Sequence, residues 1–380
     1  MLLKLIALAI AGLSSAAFAQ SNVTISGLLD LGYQNTNTQT SAVTGKDTSQ
    51  GWLGNGSSTS NLTFSGTEAL GGGLNAGFVL TTEFNPGGVE ASAAALTAQA
   101  PFASKLMNSQ NYLQLSSASW GSVKVGNINN ASLGVSGQSQ PFGTAIGSGY
   151  SSGFARLSRF GNAALINTTN FNSVAPGAAS GNGTTTSGTR LVRSSNSFMY
   201  DTPNFSGFSA SLVHVFKNDN DQYATVGQQE LGLKYNNGPL NVNYAWTKLD
   251  GGSNMTAASL QSEQVKHNML GANYTFGPAT IYGGWTSSKG NNAAGTSTDS
   301  RSWNLALKYA MGSWAFMANV LKADDKLAAN IDRNLTGLGV NYSMSKRTTA
   351  YVRYENGDND KSTGDIGAFT RWAAGVSHSF

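Results

Sequence analysis

From residue 23 onward, apolar and polar residues alternate one for one in short runs, and this pattern recurs to the last residue. In the first run Val23, Ile25, Leu29, Leu31 and Tyr33 alternate with Thr24, Ser26, Asp30 and Gln34. Side chains of a strand point to opposite faces in turn, so period two gives one apolar and one polar face. The runs have the length of a tilted strand crossing a bilayer, about 9–11 residues. After the N-terminus no run of about eighteen apolar residues occurs, which rules out helical spans. If this chain crosses a membrane, it does so with strands.

The same texture continues along the chain. Leu62 and Phe64 alternate with Asn61, Thr63 and Ser65, and Leu74, Ala76, Phe78 and Leu80 follow the Gly71-Gly72-Gly73 turn. Later runs include Leu231 to Tyr235, Leu240 to Trp246, Trp303 to Tyr309 and Trp372 to Phe380. Short turns are read at Trp120-Gly121, Asn237-Gly238-Pro239, Gly277-Pro278, Met311-Gly312 and Lys346-Arg347, all rich in turn formers. The other ends carry long polar stretches, read as loops at Asn35–Thr59, Asn85–Asn108, Gly251–Ser262 and Lys289–Ser300. Short turns at one end and long loops at the other mark bacterial outer-membrane barrels; a soluble sandwich or solenoid would not segregate them so. Aromatics such as Tyr33, Phe84, Tyr235, Trp246, Tyr274, Phe276, Trp285, Trp314 and Tyr354 fall beside turns, as interfacial girdles require.

The count is sixteen strands, within two. An all-β, antiparallel transmembrane barrel must close, because an open edge in lipid leaves unpaired backbone groups at several kilocalories each. Sixteen strands enclose water, whereas eight would fill with side chains. The polar face then lines a channel.

Composition agrees. Charged residues are 11% of the 380, against about 25% in soluble proteins. There is no cysteine, which removes thiol nucleophiles and thiol metal sites. Met1 to Lys4 gives a positive start, Leu5 to Leu13 an apolar core and Ala17-Phe18-Ala19 a small-residue cleavage site, so residues 1–19 read as a signal peptide. An anchor helix there would be too short to span. The mature chain is then 20–380, with 22 basic residues once Lys4 is removed and 19 acidic ones. A net of +3 does not imply nucleic acid.

One stretch breaks the alternation. Asn127–Ser195 is about seventy residues of Gly, Ser, Asn, Thr and Ala without hydrophobic period, and structureless inserts of that length are usually functional or disordered. Between Glu90 and Asp201 there is no acidic residue, yet Lys105, Lys124, Arg156, Arg159, Arg190 and Arg193 all fall there. One-signed charge inside a pore acts as a selectivity element, and basic rings favour anions. Candidate loop charges are Arg156, Arg159, Arg190 and Arg193; Lys124, Arg353 and Arg371, on the polar phase, are candidate wall charges. The competing reading has the loop arginines solvated or paired with the acidic wall residues Glu83 and Glu230 or with Asp201.

The chain resembles the trimeric general porins of Gram-negative outer membranes, of the β-proteobacterial type. The landmarks are Val23-Thr24-Ile25-Ser26-Gly27, Gly66-Thr67-Glu68-Ala69-Leu70-Gly71-Gly72-Gly73-Leu74, Ser119-Trp120-Gly121-Ser122-Val123-Lys124-Val125-Gly126, Tyr200-Asp201-Thr202-Pro203-Asn204-Phe205-Ser206-Gly207-Phe208, Tyr342 to Thr348 and the terminal Phe380. The resemblance implies a sixteen-stranded barrel, a homotrimer and a third loop folded into the pore at 127–195. It also implies that the barrel-assembly machinery reads Phe380, and that lipopolysaccharide and outer-membrane lipids are partners. The residues depart from the family at Gly126-Asn127, where relatives often continue Gly-Arg, and in the absence of acids on the third loop.

Other functions leave fainter traces. Gly149-Tyr150-Ser151-Ser152-Gly153 matches a nucleophile elbow without its strand-turn-helix context. His214, His267 and His378 suggest no relay or metal site, and no cofactor motif appears. The loop acids Asp219, Asp221, Asp250, Asp324, Asp325, Asp332, Asp358, Asp360 and Asp365 read as solvated charge, or as divalent-ion sites bridging lipopolysaccharide or neighbouring subunits. A substrate-specific channel would use lumen-phase Tyr351 and Tyr282, and an adhesin would use the loops. The expectation is a non-enzymatic diffusion channel for small hydrophilic solutes and ions, with anion preference.

Overall fold

The computed structural model describes residues 22–39, 46–87, 107–143, 145–148, 193–216, 227–250, 262–292, 297–326, 332–360 and 368–380. They form one antiparallel sheet. The first half comprises β1 (Asn22–Gln39), β2 (Lys46–Gly54), β3 (Asn61–Gly71), β4 (Leu74–Glu83), β5 (Asn111–Ser117), β6 (Gly121–Asn129), β7 (Arg193–Asp201) and β8 (Phe208–Val215). The second comprises β9 (Gly227–Asn237), β10 (Leu240–Asp250), β11 (Ser262–Phe276), β12 (Ala279–Asn292), β13 (Ser297–Met311), β14 (Trp314–Asp325), β15 (Asp332–Ser343), β16 (Thr348–Asp360) and β17 (Phe369–Ser379). Each strand from β3 to β17 pairs with the next, and β17 returns to β1.

Seventeen strands make sixteen positions around the barrel. The lower half of β1 pairs with β3 (Asn22↔Thr67 to Leu28↔Asn61), and its upper half pairs with β2 (Leu31↔Gly54 to Gln39↔Lys46). β2 and β3 are thus one wall position broken at 55–60. Asp30 pins the break, since its carboxylate accepts the Ser57 and Ser58 amides at 2.7 and 2.6 Å and the Tyr351 hydroxyl at 2.6 Å.

Here the expected loop Asn35–Thr59 is corrected. β1 continues to Gln39 and β2 pairs along it, with Thr48 Oγ1 donating to Asn37 Oδ1 at 2.7 Å. Apolar alternation fades there because the ribbon extends past the apolar band with polar residues on both faces. For the same reason Lys289–Ser300 is mostly strand, as β12 runs to Asn292 and β13 starts at Ser297. Most of the expected loops Asn85–Asn108 and Gly251–Ser262 lies outside the described residues, as does the signal segment 1–19.

The apolar phase faces outward. On β13 Trp303, Leu305, Leu307 and Tyr309 are 43–54% exposed, while Ser302 and Ala306 are nearly buried. Exposure of that side is stable only against lipid, where an exposed apolar row costs nothing. The expected turns close hairpins at Gly238, Gly277 and Gly312, each with φ of 56–58°. Pro239 and Pro278 follow the first two of these glycines and hold their own φ near −65°, the combination a type II′ turn needs. The seam closes at the C-terminus, where Gly27 donates to the Phe380 carbonyl at 3.1 Å and Phe380 donates back at 3.0 Å. The Phe380 ring lies where a side chain at 27 would stand.

A charge on the lipid face at mid-bilayer costs about 2–4 kcal/mol. Leu305→Arg should therefore lower unfolding free energy by that amount in denaturant titrations of the vesicle-inserted protein. A loss below about 1 kcal/mol would place Leu305 near the membrane interface, away from the midplane.

Candidate functional site: the inner wall and its bound loop

The stretch that follows β6 enters the barrel. Its first part is a helix, α1 (Ala131–Ser139), which packs on β9 to β13. The long stretch is therefore not wholly irregular, and its β6 and β7 flanks take in Asn127–Asn129 and Arg193–Ser195. Two glycines in nine residues and a weak amphipathic pattern hide this helix in the sequence. The wall stabilises it instead.

Asn130 sits at the N-cap without a side-chain cap bond, and Glu230 of β9 takes that role. The Glu230 carboxylate accepts the Ala131 amide, the Ser132 hydroxyl at 3.1 Å and the Thr247 hydroxyl at 2.8 Å. An anion at a helix N-terminus satisfies orphan amides and meets the positive end of the dipole. Glu230 is fully buried under the helix, so it contributes no exposed charge to the lumen.

Side-chain amides hold the carbonyls farther along. Asn273 donates to the Gln138 carbonyl at 3.2 Å, Asn304 to that of Ser139 at 2.6 Å and Asn319 to that of Gly147 at 3.2 Å. Glu355 accepts the Gly147 amide at 3.2 Å. Between these bonds the wall is stripped of side chains. Gly232 faces Ala131, Gly271 faces Val135, and a Cβ at Gly284 would lie 2.7 Å from that of Ser139. Gly337 meets the Gly147 backbone, and a Cβ at Gly339 would lie 2.7 Å from the Phe142 ring. Glycines of β9, β11, β12 and β15 thus form a track on which the loop lies.

The sequence-derived site residues fall into three groups. Arg353 is inward but buried, donating to Val340 O (3.2 Å), Val352 O (3.0 Å), Ser57 Oγ (3.3 Å) and Asn341 Oδ1 (2.7 Å). It lies 5.7 Å from the Phe142 ring centre and so clamps the loop to the β2–β3 break. Lys124, Arg193 and Arg371 are inward and paired: Lys124 with Asp201 at 2.8 Å, Arg193 with Glu83 at 3.0 Å, Arg371 with Glu355 at 3.8 Å. Arg156, Arg159 and Arg190 lie outside the described residues, as do Gly149–Gly153 and the insert 162–188. Asn127, which stands in place of the family's arginine, donates to the Ser109 carbonyl at 2.5 Å. Among the described residues no cluster of three acids or histidines could hold a metal.

Two inward lysines complete the wall, and neither was among the sequence-derived candidates. Lys234 of β9 and Lys308 of β13 share the lumen phase with Asn243 and Met317 and are partly exposed. Neither forms an ion pair among the described residues, and the Lys234 stem passes 4.0 Å from the space above Gly134 of α1. Their alternation with Gly232 and Ala306 was visible in the sequence. Their freedom from acids was not.

A closed sixteen-position barrel with an internal loop strapped to a glycine track is a pore architecture, and a sequence profile of the Gram-negative porin family matches residues 5–362. The chain belongs to the Gram-negative porins. An outer membrane porin protein of Bordetella pertussis is 25% identical over 398 aligned residues, covering 90% of each chain. Among solved structures, an anion-selective porin from Comamonas acidovorans superposes with a TM-score of 0.72 at 23% identity, covering 95% of this chain and all of the other. The trimer form of OmpT from Vibrio cholerae gives 0.61 at 13% identity, covering 95% and 99%. This porin is an outer-membrane channel for passive diffusion of small hydrophilic solutes, with its short turns on the periplasmic side.

A side chain at the glycine track must push the loop into the lumen or distort the wall. Gly337→Val should cost about 1–3 kcal/mol of overpacking. It should lower single-channel conductance while circular dichroism shows unchanged β-content. Unchanged conductance would show that the loop is not seated there.

Proposed function

We propose that this porin prefers anions and that the preference arises on its wall as well as its loop. The observation carrying the reading is an imbalance among inward charges. Every inward acid with a described side chain is engaged: Asp30 by two amides and Tyr351, Glu83 by Arg193, Asp201 by Lys124, Glu230 by the α1 N-terminus, Glu355 by Arg371 and Gly147. Lys234 and Lys308 have no such partner among the described residues. The fixed charge left to act on solutes is positive, and a low-dielectric wall focuses its field. The anion selectivity of the Comamonas acidovorans neighbour supports the same direction. Arg156, Arg159 and Arg190 add to it from the loop, and 127–195 constricts the pore.

The remaining roles belong to the same reading. The chain acts without catalysis, is cleaved after Ala19, and assembles as a homotrimer, for which the trimer form of OmpT is the support. Phe380, exposed at the lipid-facing end of the seam, is presented to the barrel-assembly machinery. Lipopolysaccharide is its outer-leaflet partner. N-terminal sequencing of protein from outer membranes should begin at Gln20; Met1 would refute the cleavage.

In planar bilayers under a KCl gradient the wild type should show a reversal potential of anionic sign. Lys234→Glu with Lys308→Glu should move it toward the cationic sign. The shift should shrink at 1 M salt, where the screening length falls to about 3 Å from about 10 Å at 0.1 M. A wild-type potential of cationic sign, or an unmoved double variant, would overturn the assignment.

A further inference from the structure

The periplasmic turn between β7 and β8 builds a feature that diffusion through the lumen does not use. Ser206 and Gly207 both have positive φ, 53° and 99°, as a two-residue type I′ turn requires. Ser206 carries a side chain, so this backbone is strained and must be held by its surroundings. The Phe205 amide donates to the Phe208 carbonyl at 2.8 Å and the Phe208 amide donates back at 3.1 Å. Asn204 Oδ1 accepts the Gly207 amide at 2.8 Å. Directly opposed residues share a face, so Phe205 and Phe208 stand side by side on the outside of the barrel, 63% and 59% exposed.

Above this pair the wall dips. Ala210 is the small residue of the outward row Phe208, Ala210 and Leu212; it lies opposite Leu233, which lies opposite Tyr244. Beside it the Thr202 hydroxyl is turned onto the backbone, accepting the Ala210 amide at 2.9 Å and donating to the Pro203 carbonyl at 2.9 Å. Tyr244 donates to Asn268 at 2.8 Å and is thereby tied toward β11. The Phe208 and Tyr235 rings, centred 4.4 Å apart, close the periplasmic side. These side chains enclose a groove of about 350 Å³ lined almost entirely by apolar atoms. That is within the size range of ligand sites, about 300–1,000 Å³.

Its position selects an occupant. The groove lies just above the aromatic residues of the periplasmic rim, hence in the hydrocarbon of the inner leaflet. Lining atoms that faced a void there would forfeit their dispersion contacts, and no water enters to replace them. Ten residues line it, whereas a stable subunit interface takes about 20–30 a side. The mouth is polar but uncharged, formed by Asn204, Asn237 and the Tyr235 hydroxyl, to which Asn237 donates at 3.2 Å. No acid, lysine or arginine occurs in 202–207, or on the outward phase of β8, β9 or β10 below Lys248. We infer that this groove is a binding site for one acyl chain of a glycerophospholipid of the periplasmic leaflet, with the headgroup at the asparagine-lined mouth and no selection for headgroup charge.

The test places the folded full-length porin in phosphatidylcholine vesicles. The probe is phosphatidylethanolamine with a photoactivatable group in the upper half of one acyl chain, and cross-links are mapped by mass spectrometry. They should concentrate on Phe205–Ala210 and Leu233–Tyr244, about tenfold over the equally apolar periplasmic end of β13 and β14, because a smooth wall lacks the enclosing dispersion contacts. Ala210→Phe fills the groove and should abolish this enrichment, whereas Ala318→Phe, on the outward row of β14, should leave it unchanged. Phe205→Ala removes one side of the groove from a turn outside the sheet and should lower the enrichment too; it decides alone if Ala210→Phe does not fold. Unlabelled phosphatidylglycerol and phosphatidylethanolamine should compete equally. Even labelling around the barrel, undiminished labelling of Ala210→Phe, or stronger competition by phosphatidylglycerol would overturn the site. So would an unlabelled groove whose filling dissociates the oligomer, the outcome expected if a second copy of the chain were the occupant. Conductance should be unchanged in all three variants, since none of these side chains faces the lumen.

Discussion

Lipid cannot accept or donate hydrogen bonds, and the whole architecture follows from that constraint. Every spanning backbone group must find a partner in the sheet, so the sheet closes through the reciprocal bonds of Gly27 and Phe380. Closure dictates where polar side chains go. Asp30, Glu230, Glu355 and Arg353 all point inward, because the alternate phase faces hydrocarbon. An interior that collects polar groups must then satisfy them, and it does so largely with its own loop.

The glycine track and the amide donors are two halves of one solution. A sixteen-position barrel is too wide for its wall side chains to meet, so polar groups lack partners across the lumen. The chain following β6 brings backbone carbonyls and amides to them. Asn273, Asn304 and Asn319 gain acceptors, while Glu230 and Glu355 gain donors. Removal of side chains at Gly232, Gly271, Gly284, Gly337 and Gly339 allows the approach. The acids thereby spent on holding the loop no longer offset Lys234 and Lys308. Loop anchoring and the sign of the pore charge are coupled through the same carboxylates.

The barrel was legible because its code is local. Period two, turn residues and the length of each apolar run can be counted along the chain without knowing any partner. Legibility failed where strands leave the apolar band, as at β2, since both faces of such a ribbon are polar and nothing alternates. It failed again at α1, whose glycines and serines argue against a helix until Glu230 caps it from ninety-nine residues away.

For this protein the sequence by itself determined class, compartment and the inward or outward side of residues within the apolar band, because the two-residue period of a strand is a property of the backbone. Only the tertiary structure decided which charges remain free. Lys124, Arg193, Arg353 and Lys234 look alike in the chain, yet one pairs with Asp201, one with Glu83, one is buried against Phe142 and one faces the lumen without an ion pair among the described residues. Charge pairing is set by distances of a few ångströms between residues tens to hundreds of positions apart, and closure of the barrel fixes those distances.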